Sequence, residues 1–224
     1  YLLGRKIFKK ADAIICNSRF EMRLIKKDFE TEGRKLVLIP PGIDREEIER
    51  VEVARGEKEN KILYAGRIEK YKGIQHLIRA LPYLEGIRLE IIGEGPYEKK
   101  LRRLIRELKV EDRVNWLRHV SRAELLRHYS SASIFALLSP YEAYGLGIAE
   151  ALACGVPCIV SLRGAVTEFI DNKMCFGVEP AIDERELAVR ISEVAKIKGR
   201  KYDGGIYDWN VFVERVIKIY EGLR

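Results

Sequence analysis

No apolar run in this 224-residue chain approaches the roughly 18 residues that cross a bilayer, and its opening, YLLGRKIFKK, lacks the apolar stretch of a secretory leader. The expectation is a soluble, cytoplasmic protein, with attachment at the cytoplasmic face of a membrane as the alternative. The four cysteines, Cys16, Cys154, Cys158 and Cys175, form no C-x-x-C pair and stand among apolar neighbours. They read as buried thiols, and no metal site is expected. No Gly-Lys-Ser/Thr occurs, which excludes a Walker loop. Gln appears once, at Gln75, and Asn five times, while Lys, Arg and Glu dominate a charged fraction of 33%. That is the compositional lean of a thermophile. A concentrated basic arm is missing too. The net charge is +7, but residues 1–60 carry 14 basic and 12 acidic side chains, so the excess is spread. The most basic stretch, Pro96 to Leu108, has its apolar residues at helical spacing and reads as a solvated helix face, so no nucleic-acid partner is expected.

What the chain does have is a 47% hydrophobic fraction in short β-branched runs that alternate with amphipathic segments. KILYAG (61–66), RLEIIG (88–93), VNWL (114–117), SIFALL (133–138), PCIVS (157–161) and CFGV (175–178) read as strands. Helices are expected at 73–84, from Pro96 to Leu108, at 121–132 behind a Ser121/Glu124 capping box, from about Leu146, and as a short turn around Thr167. Six strands separated by helices predict an α/β, doubly wound, Rossmann-like parallel sheet over residues 60–207. Residues 1–44 offer a strand (ADAIIC), a helix capped by Ser18, a strand (KLVLI) and the turn PPGID. Two strands cannot close a core, so this is either an addition to the main sheet or the tail of a second domain. Residues 45–59, charged and poor in apolar side chains, read as a linker, and 208–224 as an amphipathic final helix.

Ligands of open α/β sheets bind beyond the carboxyl ends of the strands. After KILYAG comes GRIEKYKG, where Gly66 and Gly73 bracket a loop bearing Arg67 and Lys72 ahead of a helix. Guanidinium and ammonium groups beside a helix N-terminus suit a phosphate or diphosphate. Solvent-facing charges on a turn are the plainer reading. GEGP (93–96) lacks the third small residue of a dinucleotide fingerprint, since position 98 is Glu98, and reads as a tight turn. The strongest constellation is SPYEAYGLGIAEALACGVP (139–157), in which Glu142 precedes Gly145 and Glu150 follows eight residues on. Eight helical residues would set these carboxylates about 12 Å apart along the axis, spaced to grip two parts of an elongated ligand. Backbone N–H groups of Gly145 and Leu146 would offer an anion site between them. A nucleotide sugar has that layout. A capping Glu142 and a solvent-facing Glu150 fit the spacing equally well.

EAYGLGIAE resembles the E-x7-E motif of retaining glycosyltransferases of family 4, which have the two-domain GT-B fold. ADAIICNS with IPPGID, AGRIEKYKG, IIGEGP, ACGVP and the final helix are similar to that family in the same order. The resemblance implies that the chain is the C-terminal, donor-binding half of a GT-B fold. Residues 1–44 would then be a remnant of the N-terminal acceptor domain, and 208–224 the C-terminal crossover helix. The implied activity is transfer of a hexose from a UDP-, GDP- or ADP-sugar to an acceptor hydroxyl with retained configuration. No cofactor or metal is implied, and this chain alone would be incompletely active. Arg67 and Lys72 would bind the diphosphate, with Gly66 in the same loop. Glu142 would contact the transferred sugar, Glu150 the ribose, and Gly145 and Leu146 the phosphate. His119 and Val120, next to Arg118, would lie near the base, although a glycine is usual there. Glu168 closes a G-G-x-x-E turn whose second glycine is Ala165, and reads as structural. A glycan, lipid or small-molecule acceptor would come by way of the N-terminal domain, with peripheral membrane contact in the whole enzyme and self-association of the half. The rival expectations are a stand-alone nucleotide or sugar-phosphate binding module and a basic nucleic-acid-binding protein.

Overall fold

The computed structural model describes residues 2–52, 58–199, 202 and 204–223. Six strands form one parallel sheet: β3 (Glu59–Ala65), β4 (Arg88–Ile92), β5 (Val114–Leu117), β6 (Ala132–Leu137), β7 (Cys158–Ser161) and β8 (Cys175–Val178). Their order is β5-β4-β3-β6-β7-β8. All the neighbouring pairs are parallel. The doubly wound sheet expected from the alternation is present. The chain steps outward from β3 to β5, crosses to β6 on the other side of β3, and steps outward again. The loops after β3 and β6 therefore diverge, which opens a crevice at the point where the order reverses.

Helices cover both faces: α4 (Ile74–Ala80), α5 (Glu98–Glu107), α6 (Arg122–Ser131), α7 (Leu146–Ala153) and α8 (Glu184–Ala195). Ser121 and Glu124 make the full capping box at the start of α6. Helix α5 begins at Glu98, two residues later than Pro96 suggests. The central strands are buried on both sides, so their apolar runs are nearly continuous, and Ile62, Leu63, Tyr64, Ile134, Phe135 and Ala136 have no exposed surface. All four cysteines are buried free thiols, as their neighbours suggest. Among the described residues no helix is long and apolar enough to cross a membrane.

One polar cluster interrupts this core. Lys61 on β3 and Glu90 on β4 have side chains only 5% and 7% exposed, and their ends lie 2.9 Å apart. Glu90 also accepts from Asn115 Nδ2 on β5 at 3.0 Å and lies 2.7 Å from His128 Nδ1 on α6. Burial alone would raise the Glu90 pKa; the Lys61 hydrogen bond and charge, with His128 and Asn115, reverse that and hold it below the usual carboxylate value.

The first residues form α1 (Leu2–Lys10), β1 (Ile14–Cys16), α2 (Arg19–Asp28) and β2 (Leu36–Leu38). β1 and β2 make their own two-stranded parallel sheet, which does not extend the larger one. Its core is small: Ile14, Cys16, Ile25 and Leu36, with Phe8, Ala11, Met22 and Phe29 against them. Two corrections to the sequence reading belong here. Residues 45–59 are not an unstructured connection, because α3 (Arg45–Glu52) occupies the first half and Ile48 joins the main core; residues 53–57 lie outside the described residues. Helix α8, which the reading omits, packs on α4 and the sheet through Leu187, Ala188, Ile191 and Val194.

The final helix α9 (Trp209–Gly222) has no buried residue, and Trp209, Ile217 and Tyr220 are exposed. Its start is stitched to the 40–44 turn. Ile43 N–H donates to Tyr207 O and Trp209 N–H to Ile43 O, both at 2.9 Å, and a Cβ at Gly42 would stand 2.6 Å from Asp208 O.

Candidate functional site

The crevice is built by close backbone approaches that only glycine permits. Gly93 and Gly95, read as a tight turn, lie against the loop after β3: a Cβ at Gly93 would meet Gly66 O at 2.1 Å, and one at Gly95 would meet Ile68 O at 2.4 Å. Gly73 adopts φ +80°, and its missing Cβ would stand 2.6 Å from Leu138 Cβ. The one-turn helix Lys70–Lys72 is thereby pressed against the end of β6. The Tyr64 hydroxyl donates to Arg67 O at 2.7 Å and pins the start of the same loop. Burial drives the Tyr64 pKa far above its ordinary value, so the hydroxyl stays a donor.

These constraints bring Lys72 from the β3 loop to Glu142 from the β6 loop. Lys72 Nζ lies 2.5 Å from Glu142 Oε1, and both side chains are 15% exposed. The Lys72 ammonium also sits 5.3 Å from the centre of the Tyr71 ring, which meets Tyr141 edge to face at 6.3 Å. Arg67 differs. Its side chain is 71% exposed, and its contact is Glu69 at 3.1 Å. An ammonium has three donors, so Lys72 keeps hydrogen-bonding capacity beyond Glu142. Two cations thus stand on the loop after β3, one docked on Glu142 and one exposed beside Glu69.

Gly145 caps α7 at φ +108°, a left-handed conformation, and Ile148 and Ala149 N–H both donate back to Gly145 O. The N–H groups that start a helix have no i−4 acceptor, so those of Leu146 and Gly147 are available at this end of α7. Glu142 lies four residues before the first residue of the helix; only Glu150 is on it. Glu150 is not the solvent-facing residue of the plainer reading. Its side chain is 8% exposed and 2.5 Å from Arg122 NH1. Arg122 in turn reaches Glu47 of α3 at 3.0 Å. Burial pushes the Glu150 pKa above the usual carboxylate value, against the pull of Arg122 and of a hydrogen bond with Tyr129. Arg122 and Tyr129 escape the sequence reading, which uses their helix only for its cap. Nothing in the local pattern marks a residue that acts 28 positions away.

The remaining candidates are dispersed along the β5 edge. His119 is exposed and 3.4 Å from Glu94 in the 93–96 turn. Arg118 pairs with Glu98 at 3.0 Å, and Val120 packs against the core. Glu168 has the structural role expected of it: its carboxylate accepts from Phe20 N–H at 2.7 Å and Arg19 N–H at 3.2 Å, and so caps α2. Gly164, at φ +81°, stands where a Cβ would meet Pro140 O at 2.6 Å, which braces the loop bearing Glu142. Among the described residues no group of three or more His, Cys, Asp or Glu side chains forms a metal cluster.

Known proteins are similar to this chain in sequence and in fold. An uncharacterized glycosyltransferase of Methanocaldococcus jannaschii is 35% identical over 119 residues, 52% of this chain and 30% of that one. The D-inositol 3-phosphate glycosyltransferase of Mycolicibacterium smegmatis is 27% identical over 203 residues, 85% of this chain and 46% of that one. The chain thus spans less than half the length of these curated relatives. Two solved structures have the same fold. They are a sucrose-phosphate synthase from Thermosynechococcus elongatus (TM-score 0.84, 24% identity, 99% of this chain and 61% of that one) and Anabaena HepE in complex with UDP and glucose (TM-score 0.81, 19% identity, 98% and 66%). The model of the family "Glycosyl transferases group 1" matches residues 45–203, more than two-thirds of the sequence, and on that match the chain belongs to the group 1 glycosyl transferases.

Proposed function

We propose that this chain is the donor-binding part of a retaining glycosyltransferase of family 4, taking a hexose from a nucleoside-diphosphate sugar. The observation that carries the reading is the meeting of Lys72 and Glu142 from the two loops that diverge at the reversal of strand order, with Arg67 beside them. Residues 1–44 are read as the end of an acceptor domain and α9 as the helix that returns to it, so the acceptor and any membrane contact belong to the whole enzyme. Family relatives named as glycosyltransferases, and HepE solved with UDP and glucose, support the class.

On this reading the donor lies along the crevice. Arg67 and Lys72 receive the diphosphate together with the free N–H groups at the start of α7. Glu142, one residue past Tyr141, accepts from hydroxyls of the transferred hexose, and Glu150 accepts from the ribose. As the bond from the anomeric carbon to the phosphate oxygen breaks, negative charge grows on the diphosphate. Preorganised cations then stabilise it by a few kcal/mol. The departing phosphate oxygen takes the acceptor proton, and the new bond forms on the face the leaving group vacates. The two glutamates do not flank a single bond as the paired acid and base of a glycosidase do. Charge compensation falls to side chains, and the scheme calls for no metal ion.

The test is a thermal-shift and calorimetry panel of UDP-, GDP- and ADP-hexoses. Ligand that binds only the native state raises its melting temperature. One nucleotide series should do so, with little glycosyl transfer by this chain alone. No shift with any of the three defeats the reading.

A further inference from the structure

Glu150 is a carboxylate in an unfavourable place. It is the only charged residue of α7, its neighbours Ala149 and Ala151 are fully buried, and its own side chain is 8% exposed. An unpaired carboxylate there would be protonated instead of charged. Three polar groups act on it. Arg122 of α6 touches it at 2.5 Å, and Tyr129, about two turns further along α6 and wholly buried, shares a hydrogen bond with it. Glu47 of α3 is the nearby like charge, and the Cys154 thiol, just past the end of α7, lies near Tyr129. Arg122 is planar and forked, and one guanidinium spans both carboxylates, NH1 to Glu150 and Nε to Glu47. A carboxylate has about four acceptor positions. Arg122 and Tyr129 occupy two and leave two, the number a ribose diol needs.

We propose that Arg122 is a positioning residue for nucleotide recognition: it keeps Glu150 charged and oriented so that the free acceptor positions meet the two ribose hydroxyls, while Glu47 holds Arg122 from the far side. The proposal rests on the ribose role given to Glu150 above. It also ties nucleotide binding to α3, the helix that follows the 40–44 turn.

Calorimetric affinities for UDP-, GDP- and ADP-hexoses, whose diphosphate diesters keep their charge across about pH 5 to 8.5, test it over that range, on the intact chain and on R122Q, R122K, E47Q, E150Q and R122Q/E150Q. Affinity should fall on the acid side as Glu150 takes a proton, by up to about tenfold per pH unit. The midpoint of that fall should move up in R122Q, which loses the compensating charge, stay near wild type in R122K, and move down in E47Q, which loses the like charge. E150Q should bind weakly with no such fall, and adding R122Q to it should cost less than about twofold. Midpoints that R122Q and E47Q leave unmoved overturn the proposal, as does an R122Q loss of the same size in the E150Q background. If R122Q does not fold, the E47Q midpoint decides, because Glu47 is partly exposed and its replacement isosteric. A wild-type chain that binds none of the three nucleotide sugars overturns the donor reading itself and this proposal with it.

Discussion

Two of the lysine–glutamate pairs among the described residues differ in where they lie. Lys61–Glu90 lies across the sheet under α6, almost closed to water, and Glu90 has Asn115 and His128 as further partners. Lys72–Glu142 lies at the carboxyl ends of β3 and β6, more open, and among the described residues no further side chain donates to Glu142. A saturated cluster has nothing left to offer a ligand. An unsaturated one at a crevice does. Charge and residue type are the same in both; position and residual hydrogen-bonding capacity separate structure from function.

Breaking the first pair gives the largest expected effect. Glu90→Ala removes the nearer and more buried of the two carboxylates beside the Lys61 ammonium, leaving Glu59 at 3.2 Å, and strips Asn115 and His128 of their acceptor, so denaturant unfolding should show a loss of about 3–5 kcal/mol. A loss under about 1 kcal/mol would erase the distinction. Next comes Lys72→Ala, which should weaken nucleotide-sugar affinity about 10- to 100-fold, the worth of a charge-assisted contact or two. Its unfolding free energy should change by no more than about 1 kcal/mol. Arg67→Ala, which removes an exposed cation, should weaken affinity less than Lys72→Ala does. The reverse order would mean that the docked lysine only props Glu142.

The smallest effect sharpens the comparison through pH. The folded-state pKa of Glu90 is lowered, so the native state binds this proton less readily than the unfolded chain. Its contribution to stability is therefore complete above the ordinary carboxylate value and is lost as pH falls through the folded one. Acid unfolding curves of Glu90→Gln should be flatter than wild type in that window. An identical acid limb would show that the cluster does not set the proton balance.

The large sheet was legible because its central strands are short, mainly apolar runs, two of them closed by glycine, KILYAG and RLEIIG. Helix α3 was not, because REEIERVE anchors itself through Ile48 and shows a charged face elsewhere. Helix α8 carries Leu187, Ile191 and Val194 at helical spacing and was readable but unread. Of the candidate site, the loops and their cations stood out by type and order. The contact of Lys72 with Glu142 spans 70 positions, and that of Arg122 with Glu150 spans 28. Such pairings come from the strand order, which no local pattern contains.

The four cysteines have a practical side. Cys16, Cys154, Cys158 and Cys175 have no exposed surface, and burial pushes the thiols of Cys16, Cys158 and Cys175 away from the reactive thiolate. The native chain is therefore a silent background for thiol-directed dyes. A single cysteine at the exposed position of Tyr141, next to Glu142, would be its one addressable sulfur, and a fluorophore there would signal occupancy of the crevice in real time.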